Sequence, residues 1–403
     1  MKIRCLLVCA VLGAPSLAHA QGFEDLFNGA VLQRLDLLVN SRDWEKLKAN
    51  FQEDDYYPAD LRWNGLTVRN IGIRSRGLGS RSGTKPGLKV DFNRYTTGQT
   101  FLGLASIVLD NLTQDPTGMR ERVAMPFYER MGLPAPREAH AALYVNGAYA
   151  GLYAVVESID KDFLRRVFGG IEGRIENDGH LYEYKWTTEW FFTYPGNNLD
   201  AYAPLFKPVT HENASAVALY APFEAMFRAI NESPDALFVE SVSLYLDLPI
   251  FMKYLAVQSF IAQWDGIIGY AGVNNFYMYR FENSSRFQFI VWDEDNAFRA
   301  ADYPILPGYD RNVLVRRAMN VPELRAAYVA ALRAAVASAT EPAGGVGWLE
   351  SEIQLQRSLI DAAMQIDVLK PYTNHEYAAA ADALVEFARV RPAFVLGQIP
   401  QIP

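Results

Sequence analysis

Residues 263–298 read QWDGIIGYAGVNNFYMYRFENSSRFQFIVWDEDNAF, and the rest of the chain is read outward from this stretch. Asp265 follows a long apolar run and opens a Gly-rich loop that closes on Asn274 and Asn275. An alternating run over 276–279 comes next. A second apolar run, 287–292, stops abruptly at Asp293, Glu294, Asp295 and Asn296. The polar triplet Asn283-Ser284-Ser285 between the two runs predicts a hairpin. A hairpin sets its outer ends side by side, so Asp265, Asn274 or Asn275, Asp293 and Asp295 are expected in one oxygen-rich pocket. Hard cations such as Mg2+ select such donors and usually share them with phosphate oxygens. Any one of these residues is an ordinary turn residue. The set is less ordinary, because Trp264 and Trp292 each directly precede an Asp. A carboxylate part-buried against a large apolar side chain persists only when paired or metal-bound.

Upstream, the pattern is mostly strand. Residues 34–39 suit a strand and 43–51 a short helix. Asn64-Gly65 and Asn146-Gly147 are strong signals for two-residue hairpin turns. Between them, SRGLGSRSGTKPGLKVDF (75–92) is rich in Gly, Ser and base and runs into a strand. Backbone N–H groups and arginines of such a loop can drape over phosphates, although a solvated loop has the same composition. On the strand, Leu88, Val90 and Phe92 point one way and Lys89 and Asp91 the other. Lys89 is then either a phosphate contact or an exposed lysine on an edge strand. A further strand is expected over 101–109. Thr117 is expected to cap a helix over 119–131, which Gly132, Pro134 and Pro136 end.

After about residue 160 helix dominates, with helices expected over 215–230, 249–262, 312–319, 321–339, 348–366 and 376–390. Pro222 is placed to kink the first. The second is apolar on several faces, as a buried helix is. The expected organisation is a strand-rich half, 21–160, and a helical half, 161–403.

Half of the 403 residues are hydrophobic and 13% are aromatic, which excludes a disordered chain. Lys2 and Arg4, the apolar run 6–12 and Ala18-His19-Ala20 read as a cleavable export signal, with the mature chain starting at Gln21. Both cysteines, Cys5 and Cys9, fall inside it. The mature chain then has no disulfide, thiol nucleophile or Cys-based zinc site. Losing Lys2 and Arg4 takes the formal charge from -8 to -10, an acidic balance that argues against a nucleic-acid partner. No later stretch is long and apolar enough to span a membrane. A periplasmic, extracellular or cell-surface location without a transmembrane anchor is expected.

Four stretches taken together resemble the CotH kinase family: IGIRSRGLGSRSGTKPGLKVDF (71–92), DNLTQDPTGMRERVAMPFYERMGLPAPREAHAALYVNGAYAGLYAVVESIDKDFL (110–164), NNFYMYR (274–280) and FQFIVWDEDNAF (287–298). The resemblance implies an α+β, atypical protein-kinase-like two-lobed fold, with an antiparallel-sheet N-lobe, a mostly helical C-lobe and ATP between them. It implies Asp265 as the catalytic-loop aspartate that orients the acceptor hydroxyl and takes its proton. Asn275 or Asn274 would hold Mg2+ (or Mn2+), with Asp293 the main metal aspartate and Asp295 assisting. Lys89 would contact phosphates, helped by Lys85, Arg74 and Arg76, and Glu157 would sit near the lobe junction. The partner would be an exported protein carrying the Ser or Thr acceptor. The sequence lacks the ordinary kinase triplets His-Arg-Asp and Asp-Phe-Gly. Asp265 and Asn274 are nine apart, so residues 266–272 must fold back. Glu121 and Glu129 are candidate acidic partners for Lys89. Two other functions are compatible with the residues: a non-catalytic envelope or adhesion module on the same fold, and a hydrolase using Asp265 and Asp293 as acid and base.

Overall fold

The computed structural model describes residues 21–402 apart from 172, 173, 176, 270 and 271; the expected export signal lies outside the described residues. The Asn-Gly turns form where the sequence puts them. Asn64 and Gly65 have φ of 47° and 81°, and Asn146 and Gly147 have 51° and 83°. Positive φ at both central residues is what a tight hairpin demands. These turns join β2 (Tyr57–Trp63) to β3 (Leu66–Ser75) and β6 (Glu138–Val145) to β7 (Ala148–Glu157). With β1 (Gln33–Val39), β4 (Leu88–Asp91) and β5 (Ser106–Asp110) they close into a seven-stranded barrel, in the order β1-β2-β3-β4-β5-β7-β6. Every pairing is antiparallel except β1 with β6, which is parallel.

Closure corrects the expected antiparallel sheet. β1 bonds on both sides, to β2 and β6, so the barrel has no free edge to protect. It also corrects the edge-strand account of Lys89, since β4 lies between β3 and β5. The alternation on β4 holds: Leu88 and Val90 are buried in the barrel core with Leu37, Leu61, Ile73 and Leu109, while Lys89 and Asp91 face outward, part-buried. The strand expected over 101–109 is shorter, because Phe101 and Leu104 form only an isolated bridge.

Helix Arg120–Arg130 follows β5. Its N-terminus is held by Asp115 together with the expected Thr117, whose Oγ1 accepts from the Met119 N–H at 3.0 Å. Asp115 Oδ2 accepts from the N–H groups of Met119 and Arg120, both at 2.8 Å, and from Thr117 Oγ1 at 2.8 Å. Three residues of loop let the carboxylate, stronger than a hydroxyl as an acceptor, reach the orphan N–H groups. Gly132, at φ +71°, ends this helix as expected.

The second half is not purely helical. Strands Phe206–Pro208, His180–Tyr184, Phe276–Arg280 and Phe287–Val291 form a four-stranded sheet in that order. The helices Leu248–Phe260, Pro322–Thr340 and Trp348–Ile366 match the apolar period. Ala216–Glu232 is continuous through Pro222, and Asn374–Gln398 runs on through Pro392. Leu248–Phe260 is exposed at Pro249 and Ile250 and otherwise buried apart from half-buried Lys253, and Tyr328 of the neighbouring helix donates to Ser259 Oγ at 2.8 Å. The architecture is mixed α+β. Among the described residues no helix is long and apolar enough to cross a membrane.

Candidate functional site

Asp265 is positioned by the end of the buried helix. Arg391, fully buried, donates to the carbonyls of Phe260 (2.8 Å) and Ala301 (3.0 Å), and also to those of Ser259 and Tyr303. A helix end has carbonyls without internal partners, and the guanidinium satisfies them. Gln263 then bridges. Its Nε2 donates to Glu294 Oε2 at 2.7 Å, and its Oε1 accepts from the Asp265 N–H at 3.0 Å. Tyr128 Oη donates to the other Glu294 oxygen at 2.9 Å. Glu294 is therefore an internal anchor; burial, opposed by its hydrogen bonds, raises it to about 8.

The loop after Asp265 folds back. A Cβ at Gly266 would stand 2.7 Å from Gln258 Oε1, and Gly272, at φ +93°, has no room beside the Trp190 backbone. Position 272 thus requires glycine, whereas a side chain at 266 would have to displace the Gln258 carboxamide. The fold-back brings Asn274 Nδ2 to 3.1 Å and Asn275 Nδ2 to 3.3 Å from Asp265 Oδ2. Asn275 Nδ2 also donates to the Asp265 carbonyl at 3.1 Å. Burial pushes the Asp265 carboxyl up, and the two carboxamides oppose that shift.

The hairpin pairs Phe276 with Val291 and Arg280 with Phe287. Asn275 and Asp293 therefore flank the same end, both in the left-handed region at φ 60° and 57°. The Asp293 and Asp295 carboxyls are neighbours, and each shifts the other's titration. Burial and then neighbouring acids raise both, Asp293 to about 6. From the barrel side, Asp110, Glu121 and Glu138 press on this pair. Glu121 is pushed well up and Glu138 to about 8, in each case by burial first. Sequence reasoning missed Asp110 and Glu138 and treated Glu121 only as a candidate partner for Lys89. A signal existed for Glu121, which shares a helical stripe with buried Met125 and Tyr128. Among the described residues, no group of three or more His, Cys, Asp or Glu side chains is arranged to hold a metal by itself. A cation shared between one or two carboxylates, a carboxamide and phosphate oxygens needs no such group.

The cations expected at the site divide. Arg76 is there: its guanidinium lies 3.6 Å from Asp110 Oδ2, 5.5 Å over the Trp292 ring, and lowers Asp293. Lys89 lies further along the outer face of the barrel, against Arg74, Asp91, Asp160 and Glu183. Tyr277, which feels Glu183, Arg76, Asp160 and Asp293, connects the two positions. Arg74 donates to Asp54 at 2.8 Å. Lys85 is not in this group. Its ammonium is buried against Asp367 Oδ2 at 2.7 Å, because the loop folds inward to pair 282 residues along the chain. The loop itself is pinned rather than draped, with Asn111 Nδ2 donating to the carbonyls of Ser80 and Lys85, both at 2.8 Å. Glu157 is likewise engaged elsewhere. It is buried, with Arg166 Nε at 2.9 Å and the Arg137 N–H at 3.0 Å.

Asp160 borders the lysine end of the site. It caps helix Lys161–Phe168 and its Oδ2 accepts from Ser106 Oγ at 3.2 Å. Burial raises it from 3.8 to about 6. A carboxyl raised on folding stabilises below its unfolded pKa and loses that advantage as pH rises through the folded value. Asp160→Asn keeps the cap and removes the charge. Its stability relative to the parent should therefore improve by roughly 1–3 kcal/mol between pH 4 and pH 7, read from urea midpoints across that range. A flat difference would show that Asp160 stays as solvated as an unfolded carboxyl.

A mixed α+β chain with this acid-and-amide corner after a buried helix belongs to the CotH kinase protein family, whose model matches residues 73–395. Its relatives include inner spore coat protein H of Bacillus subtilis (strain 168), 24% identical over 384 residues, covering 91% of this chain and 98% of that protein. Invasin CotH3 of Rhizopus delemar is 23% identical over 242 residues, 58% of this chain and 38% of the invasin. Invasin CotH2 of the same fungus is 25% identical over 194 residues, 47% and 31% respectively.

Proposed function

We propose that this chain is an exported kinase that transfers the γ-phosphoryl group of ATP to a Ser or Thr hydroxyl of another exported protein. In this reading the barrel half, 21–160, and the second half, 161–403, act as the two lobes of an atypical kinase-like fold. The observation that carries it is the fold-back that joins Asp265 to Asn274 and Asn275 beside the Asp293–Asp295 corner. Bound Mg-ATP, or Mn-ATP, supplies the phosphoryl group and leaves as ADP. Asp265 orients the acceptor hydroxyl and receives its proton. Asn274 and Asn275 turn their N–H groups to Asp265, which leaves their carboxamide oxygens as cation donors. Asp293, with Asp295, is the anionic part of that donor set. Arg76, and Lys89 with Arg74 beyond Tyr277, supply positive charge for phosphates. Phosphoryl transfer asks a protein chiefly for this positioning and charge neutralisation. Lys85 and Glu157 are assigned no contact with nucleotide, since each is held in a buried ion pair.

A second reading, a non-catalytic surface module, is favoured by two facts. Relatives carry the names spore coat protein and invasin. The recess among Arg76, Asp110, Glu121, Trp292 and Asp293 is small, about 10 Å3. Both readings place the chain outside the cytoplasm.

Thermal melting with and without Mg-ATP separates them. Saturation at about 100 times Kd should stabilise the enzyme by roughly 2.7 kcal/mol, only with metal and nucleotide together. Asp293→Ala should abolish the shift. No shift at millimolar Mg-ATP would favour the surface module.

A further inference from the structure

The hairpin that ends at Asn275 and Asp293 has its turn at the opposite end, and that turn forms one wall of a recess of about 510 Å3. The other wall is the start of helix Leu248–Phe260, which Asp247 caps through the Ile250 N–H at 3.0 Å. The walls are tied together. The Phe287 N–H donates to the Tyr245 carbonyl at 2.7 Å, Ser285 Oγ donates to the Leu244 carbonyl at 2.8 Å, and Leu246 bridges to Phe287. The buried part of the lining is aromatic: the Phe289 ring lies 5.3 Å from that of Phe251 and 5.6 Å from that of Tyr254. This volume, with this lining, is that of a preformed binding site. Apolar surface continues out of it. Ile250, on the rim, is 38% exposed, and Leu244, whose carbonyl the turn grips, is 59% exposed. One such side chain is ordinary, but two beside an aromatic recess mark a contact face. The rim carries two exposed acids, Asp247 and Glu282, and neither has an ion-pair partner among the described residues. Exposed Arg286 is the one cation in the lining, and its side chain is likewise unpaired.

We infer that this recess docks an extended segment of a partner protein, in which an aromatic or branched aliphatic side chain fills the recess and a neighbouring Lys or Arg meets Asp247 and Glu282. Pockets for individual side chains are the usual means of reading such segments. Arg286, which can only donate, and the Gln288 carboxamide are left for the segment's backbone carbonyls. A free apolar molecule would fill the recess and leave Leu244 and both acids without partners. The acidic balance of the whole chain favours the same basic partner. The site needs no nucleotide, so it stands with either reading of the function. Under the kinase reading the docked protein is the acceptor. The five residues Phe287–Val291, at about 3.3 Å each, then set its anchor roughly 17 Å from the Asp293 corner.

Panning a phage library of random dodecapeptides on immobilised residues 21–403, without nucleotide, tests the inference. Enriched peptides are then synthesised with a fluorophore and titrated by anisotropy. They should share a Leu, Ile, Phe or Trp within a few residues of a Lys or Arg. Ile250→Glu should weaken them roughly tenfold or more, since it puts a charge at the mouth of the recess. Asp247→Asn/Glu282→Gln should weaken them about threefold or more and flatten their salt dependence, while Asn keeps the helix cap. Both variants change exposed side chains, so their melting should match the parent's. A library that yields no enriched peptide overturns the site. So do peptides that Ile250→Glu binds as the parent does, or peptides indifferent to loss of the two acids. A dimer in sedimentation that Ile250→Glu dissociates would give the face to a second copy and overturn the partner segment. Failure of Mg-ATP to bind would sink the kinase reading and leave the peptide result untouched.

Discussion

Lys85→Met should cost about 3–5 kcal/mol of stability, the usual penalty for removing one member of a buried ion pair. The Lys85 ammonium is 2% exposed, and its Asp367 partner 1%. Their 2.7 Å contact joins the loop before β4 to the turn after helix Trp348–Ile366. Burial pulls the lysine down while Asp367 opposes the shift. Asp367 is also a hub: it accepts from the N–H groups of Leu152 at 3.0 Å, Leu369 at 2.9 Å and Lys370 at 3.2 Å. Without the lysine, its charge stays buried on those three donors. Asp367→Asn should cost a comparable amount by stranding the ammonium. The double variant Lys85→Met/Asp367→Asn should recover part of the sum, because no lone charge remains and the two sites are in contact. Denaturant midpoints and slopes measure all three. A Lys85→Met cost below about 1 kcal/mol would mean that water reaches the pair.

The same pair marks where the sequence stops being legible. Local patterns sufficed for the two Asn-Gly turns, for the helices Leu248–Phe260 and Trp348–Ile366, and for the hairpin that ends in Asp293, since each is decided by residues within a turn or two of one another. The fold-back to Asn274 was readable because the intervening segment is glycine-rich. Partners far apart in the chain were not. Nothing near Lys85 names Asp367, and nothing near Phe260 names Arg391, which closes the end of its helix. Barrel closure fails for the same reason: a parallel β1–β6 pair is formed across more than a hundred residues, and either strand alone reads as an edge. Charge was misread in a particular way. Lys85 and Glu157 looked like site residues by type, yet each was folded inward onto an opposite charge. Asp110 and Glu138 carried no local signal, yet half-buried Asp110 and buried Glu138 both press on the Asp293 corner. A sequence shows which residues can ionise. Which of them lose water, and to whom, is fixed by tertiary contacts.

Asp265→Asn should leave nucleotide binding intact and remove transfer. Asn supplies an acceptor oxygen for Asn274 and Asn275 in the place of Oδ2, and the backbone bond from Gln263 to residue 265 does not depend on the side chain. The loop is therefore expected to hold, with stability within about 1 kcal/mol of the parent. The substitution removes the only proton-accepting function assigned to the position. A positioned general base contributes typically about 10²–10⁴-fold, so the phosphate incorporated into an acceptor protein, followed by intact mass, should fall by that factor at pH 7. The Mg-ATP melting shift should survive, because Asp293, Asp295 and Arg76 are untouched. Asp293→Ala should lose shift and transfer together, and that contrast separates a base from a metal ligand. Burial holds Asp265 above the ordinary Asp range, and it must be ionised to accept a proton. Transfer by the parent should consequently fall as pH drops toward that raised value, while the residual rate of Asp265→Asn should lack this limb. Full transfer by Asp265→Asn would remove Asp265 from the chemistry, and a lost melting shift would move it into the metal set.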